Sequence, residues 1–336
     1  MDRRLSVGVN GFGRFGKHLL RYWALNYSKS GLNIDYINDD YLSLAKAYEL
    51  IITDDYLVDL AKIISIEGEG LRVNAPGLSH KILFTHKEPD QIPWIGIPDM
   101  VMETSGKLVG PGRSRLFSVG NTKRVLISAT SVGADQTLVY GYNLETFDPN
   151  SKLISYGSCT INAYVPLAAY LHDRFCITDS DANIIHNVPE YKMLESKTLQ
   201  RKECTLSFMG PQLLPFLNRS NFQVNYTNVP YSGVSIMDLR FRLRYPPSKK
   251  VILELLSKDL AAGSLKGLYG MTDRDYGPEA HKFTDASGVI VASSAKIKGH
   301  NLYLQMYFDN ENSVNRYFDL ANFLTKNPVR ELVHGQ

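Results

Sequence analysis

Nothing in these 336 residues approaches the uninterrupted apolar run of ~18 residues that a membrane-spanning helix needs. Cysteine is scarce, with only Cys159, Cys176 and Cys204. The odd number and wide spacing fit neither a disulfide framework nor a metal site. A reducing, cytoplasmic setting and no metal are therefore expected. Charge of one sign is never concentrated: the net charge is +3, and the basic clusters are as short as Arg3-Arg4 and Lys249-Lys250. That excludes the dense basic patch of a nucleic-acid binder. Internal repeats and low-complexity tracts are missing. The N-terminus runs directly into a strand and a glycine loop, with no apolar core of a signal peptide before them.

What remains is a chain of ordinary globular composition, 44% hydrophobic and 21% charged, long enough for about two domains. The first half alternates strand-like and helix-like segments: Leu5 to Asn10, then Gly16 to Tyr27, Ile34 to Asn38, Leu42 to Ile52, Asp99 to Thr104 and Arg124 to Ser128. This βαβ alternation predicts a Rossmann-type, doubly wound parallel sheet. Leu71 to Pro93 reads as a hairpin or meander inserted in it. The second half has a strand at Lys152 to Ser155 and a helix at Thr160 to Phe175. Strands follow at Ala182 to His186, Gln223 to Tyr226, Ser232 to Leu243, Gly288 to Ser293 and Asn301 to Phe308, with helices at Lys249 to Ala262 and Val314 to Leu324. Long β-branched and aromatic strands with few crossovers predict an α+β domain with a mostly antiparallel sheet. The expected division is a cofactor domain, residues 1–158 with a helix at 314–336 returning to it, and a catalytic domain, residues 159–313.

Gly11-Phe12-Gly13-Arg14-Phe15-Gly16 fits G-x-G-x-x-G between a strand and a helix. Such glycines permit a tight turn and close approach of a dinucleotide pyrophosphate to a helix N-terminus. Asp39 ends the next strand 23 residues after Gly16. A carboxylate there accepts from ribose hydroxyls and repels a 2′-phosphate. Asp40 adds to that charge and no arginine is near in sequence, so NAD is expected rather than NADP.

Ser158-Cys159-Thr160 ends a strand and begins a helix. Free N–H groups at a helix N-terminus favour a thiolate, which makes Cys159 a candidate nucleophile. Cys176 and Cys204 read as small buried hydrophobes. His186, at the end of the apolar run from Ala182, is the candidate acid/base, although a lone strand-end histidine is more often structural.

At these residues the chain resembles the glyceraldehyde-3-phosphate dehydrogenase family over nearly its whole length. Val7 to Gly16, Ile37-Asn38-Asp39, Glu103-Thr104-Ser105-Gly106, Lys123 to Ala129, Ser158 to Asn162, Val234 to Leu239 and Asp309-Asn310-Glu311 carry the likeness in order. The resemblance implies that Cys159 attacks an aldehyde and that His186 lowers the thiol pKa and takes the hydroxyl proton. Hydride then passes to NAD and a second nucleophile releases the acyl group. It places Asn310 at the nicotinamide carboxamide, Arg14 and Phe15 at the pyrophosphate, and Ser105 and Ser128 along the cofactor. It further implies a homotetramer, with a homodimer left open by a stretch before Gly210 that is about three residues short.

The chain departs from the family where the substrate phosphate is held. Pro189 and Tyr191 stand at two threonine positions, with Glu190 between them, and Asn228 stands at the position of a phosphate-binding arginine. A Ser-Thr-Gly loop becomes Phe208-Met209-Gly210, Tyr156 replaces an asparagine and Ile161 a threonine. Ser158 and Thr160 persist, and Arg201 or Lys192 could supply a cation. Each lost charged contact is worth roughly 1.5–3 kcal/mol. The expected partner is a small aldehyde or acyl compound read without the usual phosphate site. Two alternatives stay open: a phosphorylating enzyme for glyceraldehyde 3-phosphate or erythrose 4-phosphate with rebuilt pockets, and a catalytically silent NAD-binding protein.

Overall fold

The computed structural model describes residues 3–188, 193, 198–230, 234–309 and 313–328. The chain divides into two compact units, Met1–Gly157 with Val314–Gln336, and Ser158–Ser313.

In the first unit the elements run β1 (Leu5–Asn10), α1 (Arg14–Leu25), β2 (Leu32–Asn38), α2 (Leu44–Ile52), α3 (Val58–Ala61), β3 (Ile64–Glu67), β4 (Gly70–Ala75), β5 (Leu78–Thr85), β6 (Met100–Glu103), β7 (Arg124–Ile127), β8 (Gln136–Thr137) and β9 (Leu153–Ser155). They form one nine-stranded sheet in the order β3-β4-β5-β2-β1-β6-β7-β9-β8. The strands from β5 to β8 pair in parallel, while β4 pairs antiparallel with both β3 and β5. The segment read as an inserted hairpin or meander is a meander that continues the same sheet. Its last strand is long enough to zip alongside β2. Strands β6 and β7 are buried at every residue, as a parallel strand covered on both faces must be. Strand order reverses about β1, so the crevice for a ligand lies at the carboxyl ends of β1 and β6.

The last helix, α7 (Ser313–Thr325), returns to this unit. Val314, Tyr317, Phe318, Leu320, Ala321 and Leu324 complete its core. Buried Arg124 caps the helix, donating 3.0 Å to the Leu324 carbonyl, to the Asn327 carbonyl, and 3.2 Å to that of Pro149. One cation thereby satisfies the carbonyls that a helix C-terminus leaves open.

In the second unit come α4 (Cys159–Phe175), β10 (Ile177–Val188), β11 (Gln200–Arg201), α5 (Thr205–Leu213), β12 (Phe222–Pro230), β13 (Ser235–Leu243), α6 (Lys249–Ala262), β14 (Tyr269–Thr272), β15 (Gly288–Lys298) and β16 (Asn301–Phe308). The sheet order is β11-β12-β10-β13-β16-β15-β14. Only β10 with β12 and β14 with β15 pair in parallel, so the sheet is mostly antiparallel. Strand β13 shows why: Met237, Leu239, Phe241 and Leu243 point inward, while Asp238 and Arg242 are exposed. That two-residue alternation marks a sheet with one wet face. Several strands are longer than their apolar runs. β10 begins at Ile177 because Asp179 and Asp181 find Arg240 on the wet face rather than ending the strand.

Helix α4 covers the inner face, where Tyr164 lies 5.3 Å from the Phe222 ring and donates 2.8 Å to Ser180 Oγ. Pro166 sits inside this helix and cannot donate to the carbonyl four residues back. The Tyr269 hydroxyl enters the gap. It accepts from Leu167 N–H at 3.0 Å and donates to the Ala163 carbonyl at 2.8 Å. Cys176 ends the helix in the left-handed region, at φ 55°, and is half-buried; it is a helix terminator, not a core residue. Among the described residues no helix is long and apolar enough to cross a membrane.

Candidate active site

Three glycines of the first unit build its loop, for two different reasons. Gly11 has φ +95°, and a Cβ there would meet Ser105 N at 2.3 Å. At Gly16 a Cβ would meet the Gly11 carbonyl oxygen at 2.4 Å. Packing within the chain forces both. Gly13 is different: a Cβ would meet no atom within 4 Å. It is exposed, and it forms the N-cap of α1 without any side-chain cap. A glycine that the chain's own packing does not demand, at a helix N-terminus, leaves room for a pyrophosphate. The residues present thus fit a dinucleotide.

Asp39 is buried and fixed by three backbone donors, Phe12 N at 2.6 Å, Tyr41 N at 2.9 Å and Leu42 N at 2.7 Å. It ties the glycine loop to the end of β2 and holds a carboxylate where a ribose diol is expected. Beside it, Asp40 is paired with Lys107 at 2.6 Å. That cation comes from 67 residues away in sequence, and sequence reading missed it. Behind the loop, Asn38, Asn10, Glu103 and Ser105 form a hydrogen-bonded chain across three strand ends. Burial raises the Glu103 carboxyl, opposed by its bonds from Asn10 and Ser105. Arg14 is the half-buried first residue of α1. Phe15 turns into the core, edge-on to Tyr317 at 5.3 Å and Tyr156 at 6.1 Å. Tyr156, the residue replacing an asparagine, is thus a core residue of this unit. Ser128 donates its N–H 2.9 Å to the Glu103 carbonyl.

The nucleophile candidate opens α4 in the second unit. Ser158 caps that helix, accepting from Ile161 N at 3.3 Å. Its hydroxyl also meets Thr160 Oγ1 at 2.9 Å and Thr205 Oγ1 at 3.1 Å. Thr205 is the first residue of α5, so two helix N-termini meet at a cluster of three hydroxyls. Cys204, the N-cap of α5, is buried with its sulfur 3.7 Å from Thr160 Oγ1. Sequence reading missed α5, because Gly210 and Pro211 lie inside it and both disfavour helix.

His186 reaches this cluster by strand periodicity. Ser180, Ala182, Ile184 and His186 are the inward positions of β10. Its Nε2 stands 3.4 Å from Cys159 Sγ. The imidazole ring lies 5.3 Å from the Tyr226 ring and 5.9 Å from that of Phe308. Burial pushes the Cys159 thiol up to about 12, the Cys204 sulfur and Asp309 add to this, and the N–H groups of residues 159 and 160 oppose it. The helix N-terminus favours the thiolate, as read from sequence, but desolvation outweighs it. A thiolate here therefore depends on a nearby cation, and His186 is placed to be one. Tyr226 is held protonated by burial and by the same two sulfurs.

The substrate candidates are dispersed. Asn228 is buried on β12 as the register partner of His186. Arg201 is exposed on β11 and pairs with Thr227, one position off. Side chains alternate along a strand, so Arg201 belongs to the opposite sheet face from His186 and Asn228. Gly210 lies inside α5, not in a loop, and a Cβ on it would meet the Phe222 ring at 2.8 Å. Asn310, Pro189, Glu190, Tyr191 and Lys192 lie outside the described residues. Among the described residues no group of three or more His, Cys, Asp or Glu could hold a metal ion.

Comparison with known proteins matches residues 5–110 to the family described as glyceraldehyde 3-phosphate dehydrogenase, NAD binding domain. The chain is 30% identical to glyceraldehyde-3-phosphate dehydrogenase 1 of Bacillus cereus over 342 residues, covering 95% of this chain and 98% of the relative. It is 29% identical to glyceraldehyde-3-phosphate dehydrogenase 2 of Caenorhabditis elegans over 339 residues, with the same two coverages of 95% and 98%. A chloroplastic relative from Arabidopsis thaliana is 28% identical over 344 residues, covering 96% of this chain and 78% of the relative.

Proposed function

The chain belongs to the glyceraldehyde-3-phosphate dehydrogenase family, with residues 5–110 in its NAD-binding domain, and from that premise we propose an NAD-dependent aldehyde dehydrogenase that has lost the usual phosphate pocket. In reverse it would act as an acyl-thioester reductase. The observation that carries this reading is the 3.4 Å approach of His186 Nε2 to Cys159 Sγ at the start of a helix.

Proton transfer from Cys159 to His186 makes a thiolate–imidazolium pair. The thiolate attacks the aldehyde carbon, and the carbonyl oxygen gains a proton to give a thiohemiacetal. His186 then takes the hydroxyl proton as the carbon loses hydride, leaving a thioester on Cys159. Bound NAD would supply the hydride acceptor; the open cradle at Gly13, with Asp39 for the ribose and Arg14, Ser105 and Ser128, would hold it, and the family resemblance assigns Asn310 to its carboxamide. A second nucleophile attacks the thioester and restores the thiolate.

Loss of phosphate recognition is supported by three positions. Asn228 is neutral where the family has a cation, Arg201 belongs to the far face of the sheet, and Gly210 is consumed in packing against Phe222. A second reading is favoured by a different observation. The hydroxyls of Ser158, Thr160 and Thr205 meet where two helices begin, which suits an oxyanion as acyl acceptor. A phosphorylating enzyme for a triose or tetrose phosphate is the form that reading takes. A silent NAD-binding protein is the third, and the Cys159–His186 geometry speaks against it. We further propose a homotetramer or homodimer in the cytoplasm, a setting that the free cysteines suit.

Steady-state NADH formation from glyceraldehyde 3-phosphate, with and without inorganic phosphate, tests the proposal. The expected kcat/KM lies below the general enzyme range of about 10⁴–10⁸ M⁻¹s⁻¹. A value inside that range would make the phosphorylating reading the correct one.

A further inference from the structure

Asn228 keeps only 6% of its surface exposed, and its amide oxygen meets no hydrogen-bond donor among the described residues. Nearly all buried polar atoms in folded proteins are paired, so such an orphan needs a cause. An unpaired buried acceptor costs roughly 1–3 kcal/mol. Packing gives no reason to keep it, since leucine has nearly the same size without the cost.

Its position does give a reason. Asn228 is the register partner of His186 on the adjacent parallel strand. Paired residues share a sheet face, and adjacent strands lie ~4.8 Å apart. His186 in turn points its Nε2 at Cys159 Sγ, 3.4 Å away. The amide therefore stands one strand from the reacting atoms. On its other side Gln200 is its register partner on β11 and belongs to the same face. Two neutral amides in a row donate and accept, but neither balances an anion. A hydroxyl matches them, because it can donate to one amide oxygen while accepting from an amide N–H. An ammonium group only donates, and a phosphate at neutral pH chiefly accepts.

We infer that Asn228 reads a neutral hydroxyl on the substrate, close to the aldehyde carbon, and that the enzyme acts on hydroxyaldehydes in preference to their deoxy counterparts. This rests on the aldehyde dehydrogenase reading of Cys159 and narrows its substrate class. A site built around a buried hydrogen-bonding group rejects the analogue that lacks the matching hydroxyl by as much as about 10⁴–10⁵.

The test compares 2-hydroxypropanal with propanal, and 3-hydroxybutanal with butanal, using the full chain and NAD. In the wild type one hydroxylated member exceeds its partner in kcat/KM by at least about a hundredfold, well inside that ceiling. In Asn228→Leu, or in Asn228→Ala where leucine disturbs folding, the ratio falls to near one. A wild-type ratio near one for both pairs overturns the inference, as does a ratio that survives both substitutions. Alkylation of Cys159 by iodoacetamide supplies a readout that needs no turnover. 1,2-Propanediol slows it more than 1-propanol in the wild type, and equally in the variants. If neither aldehyde is oxidised, the dehydrogenase reading fails, and the alcohols alone decide the role of Asn228. Equal protection by the two alcohols in the wild type then refutes it.

Discussion

Replacing His186 by glutamine should slow alkylation of Cys159 at pH 7 by about a hundredfold. Burial pushes the thiol up to about 12, so without a cation only ~10⁻⁵ of it is thiolate at pH 7. A protonated imidazole with Nε2 at 3.4 Å supplies roughly 332/(20 × 3.4), or ~5 kcal/mol, at an effective dielectric constant of ~20. At 1.36 kcal/mol per pKa unit this lowers the thiol well below its value without the cation and raises the thiolate population roughly a thousandfold. The gain in thiolate is therefore between about 10³ and 10⁴. A less basic thiolate attacks more slowly, and a Brønsted coefficient of ~0.4–0.5 returns a factor of ~10^1.6 to the variant. The net loss is about 10². The shape of the pH profile carries the same argument. Wild-type alkylation should level off at a lower pH than the variant's, whose rate should keep climbing toward the bare thiol's value of about 12. The assay is the pseudo-first-order rate of iodoacetamide modification at Cys159, followed by mass spectrometry from pH 6 to 11. Rates at pH 7 within threefold of each other, or superimposable profiles, would refute the claim that His186 activates the thiol.

Three other expectations follow from the two units separately. Cys159→Ala should abolish aldehyde oxidation while NAD binding, measured by calorimetry, stays unchanged; retained turnover would exclude Cys159 as the nucleophile. Gly13→Ala should keep the wild-type melting temperature but lose NAD affinity. Gly16→Ala should lower the melting temperature, because its Cβ would sit 2.4 Å from the Gly11 carbonyl oxygen; equal melting of the two variants would contradict the assignment of Gly13 to the ligand. NAD should bind at least about tenfold more tightly than NADP, a difference of ~1.4 kcal/mol. Lys107 offsets Asp40, so the discrimination should reside in Asp39. Asp39→Asn should narrow it, and an unaltered ratio in that variant would shift the role to another group.

The glycine loop, Asp39 and Cys159 were legible because each depends on local chemistry: a turn, a strand end, a helix start. His186 was legible only as a strand-end residue, since its partner lies 27 residues away and proximity across a fold leaves no mark in one strand. Tyr226, Gln200 and Asn228 reach the site through the register of β10, β11 and β12, which periodicity does not encode. Arg201 shows the reverse failure. It was a reasonable cation for an anion site, and one step of register sends it to the other face. Helix α5 was invisible because propensity argues against helix at Gly210 and Pro211, while packing of Leu206, Met209 and Gly210 in the interior overrides it.

The hydroxyl of Tyr269 inside α4 ties the histories of two distant residues together. Pro166 makes a gap in the helix that only an inserted donor and acceptor can fill, and Tyr269 does both tasks with one oxygen. A lineage that lost the tyrosine first would strand Leu167 N–H and the Ala163 carbonyl inside the protein. A lineage that first replaced the proline would leave the hydroxyl competing with a restored backbone ladder. Either order should pass through a less stable intermediate, so the two positions are expected to change together. The helix that begins at Cys159 is thereby anchored by a pair whose sequence separation, 103 residues, hides a single structural unit.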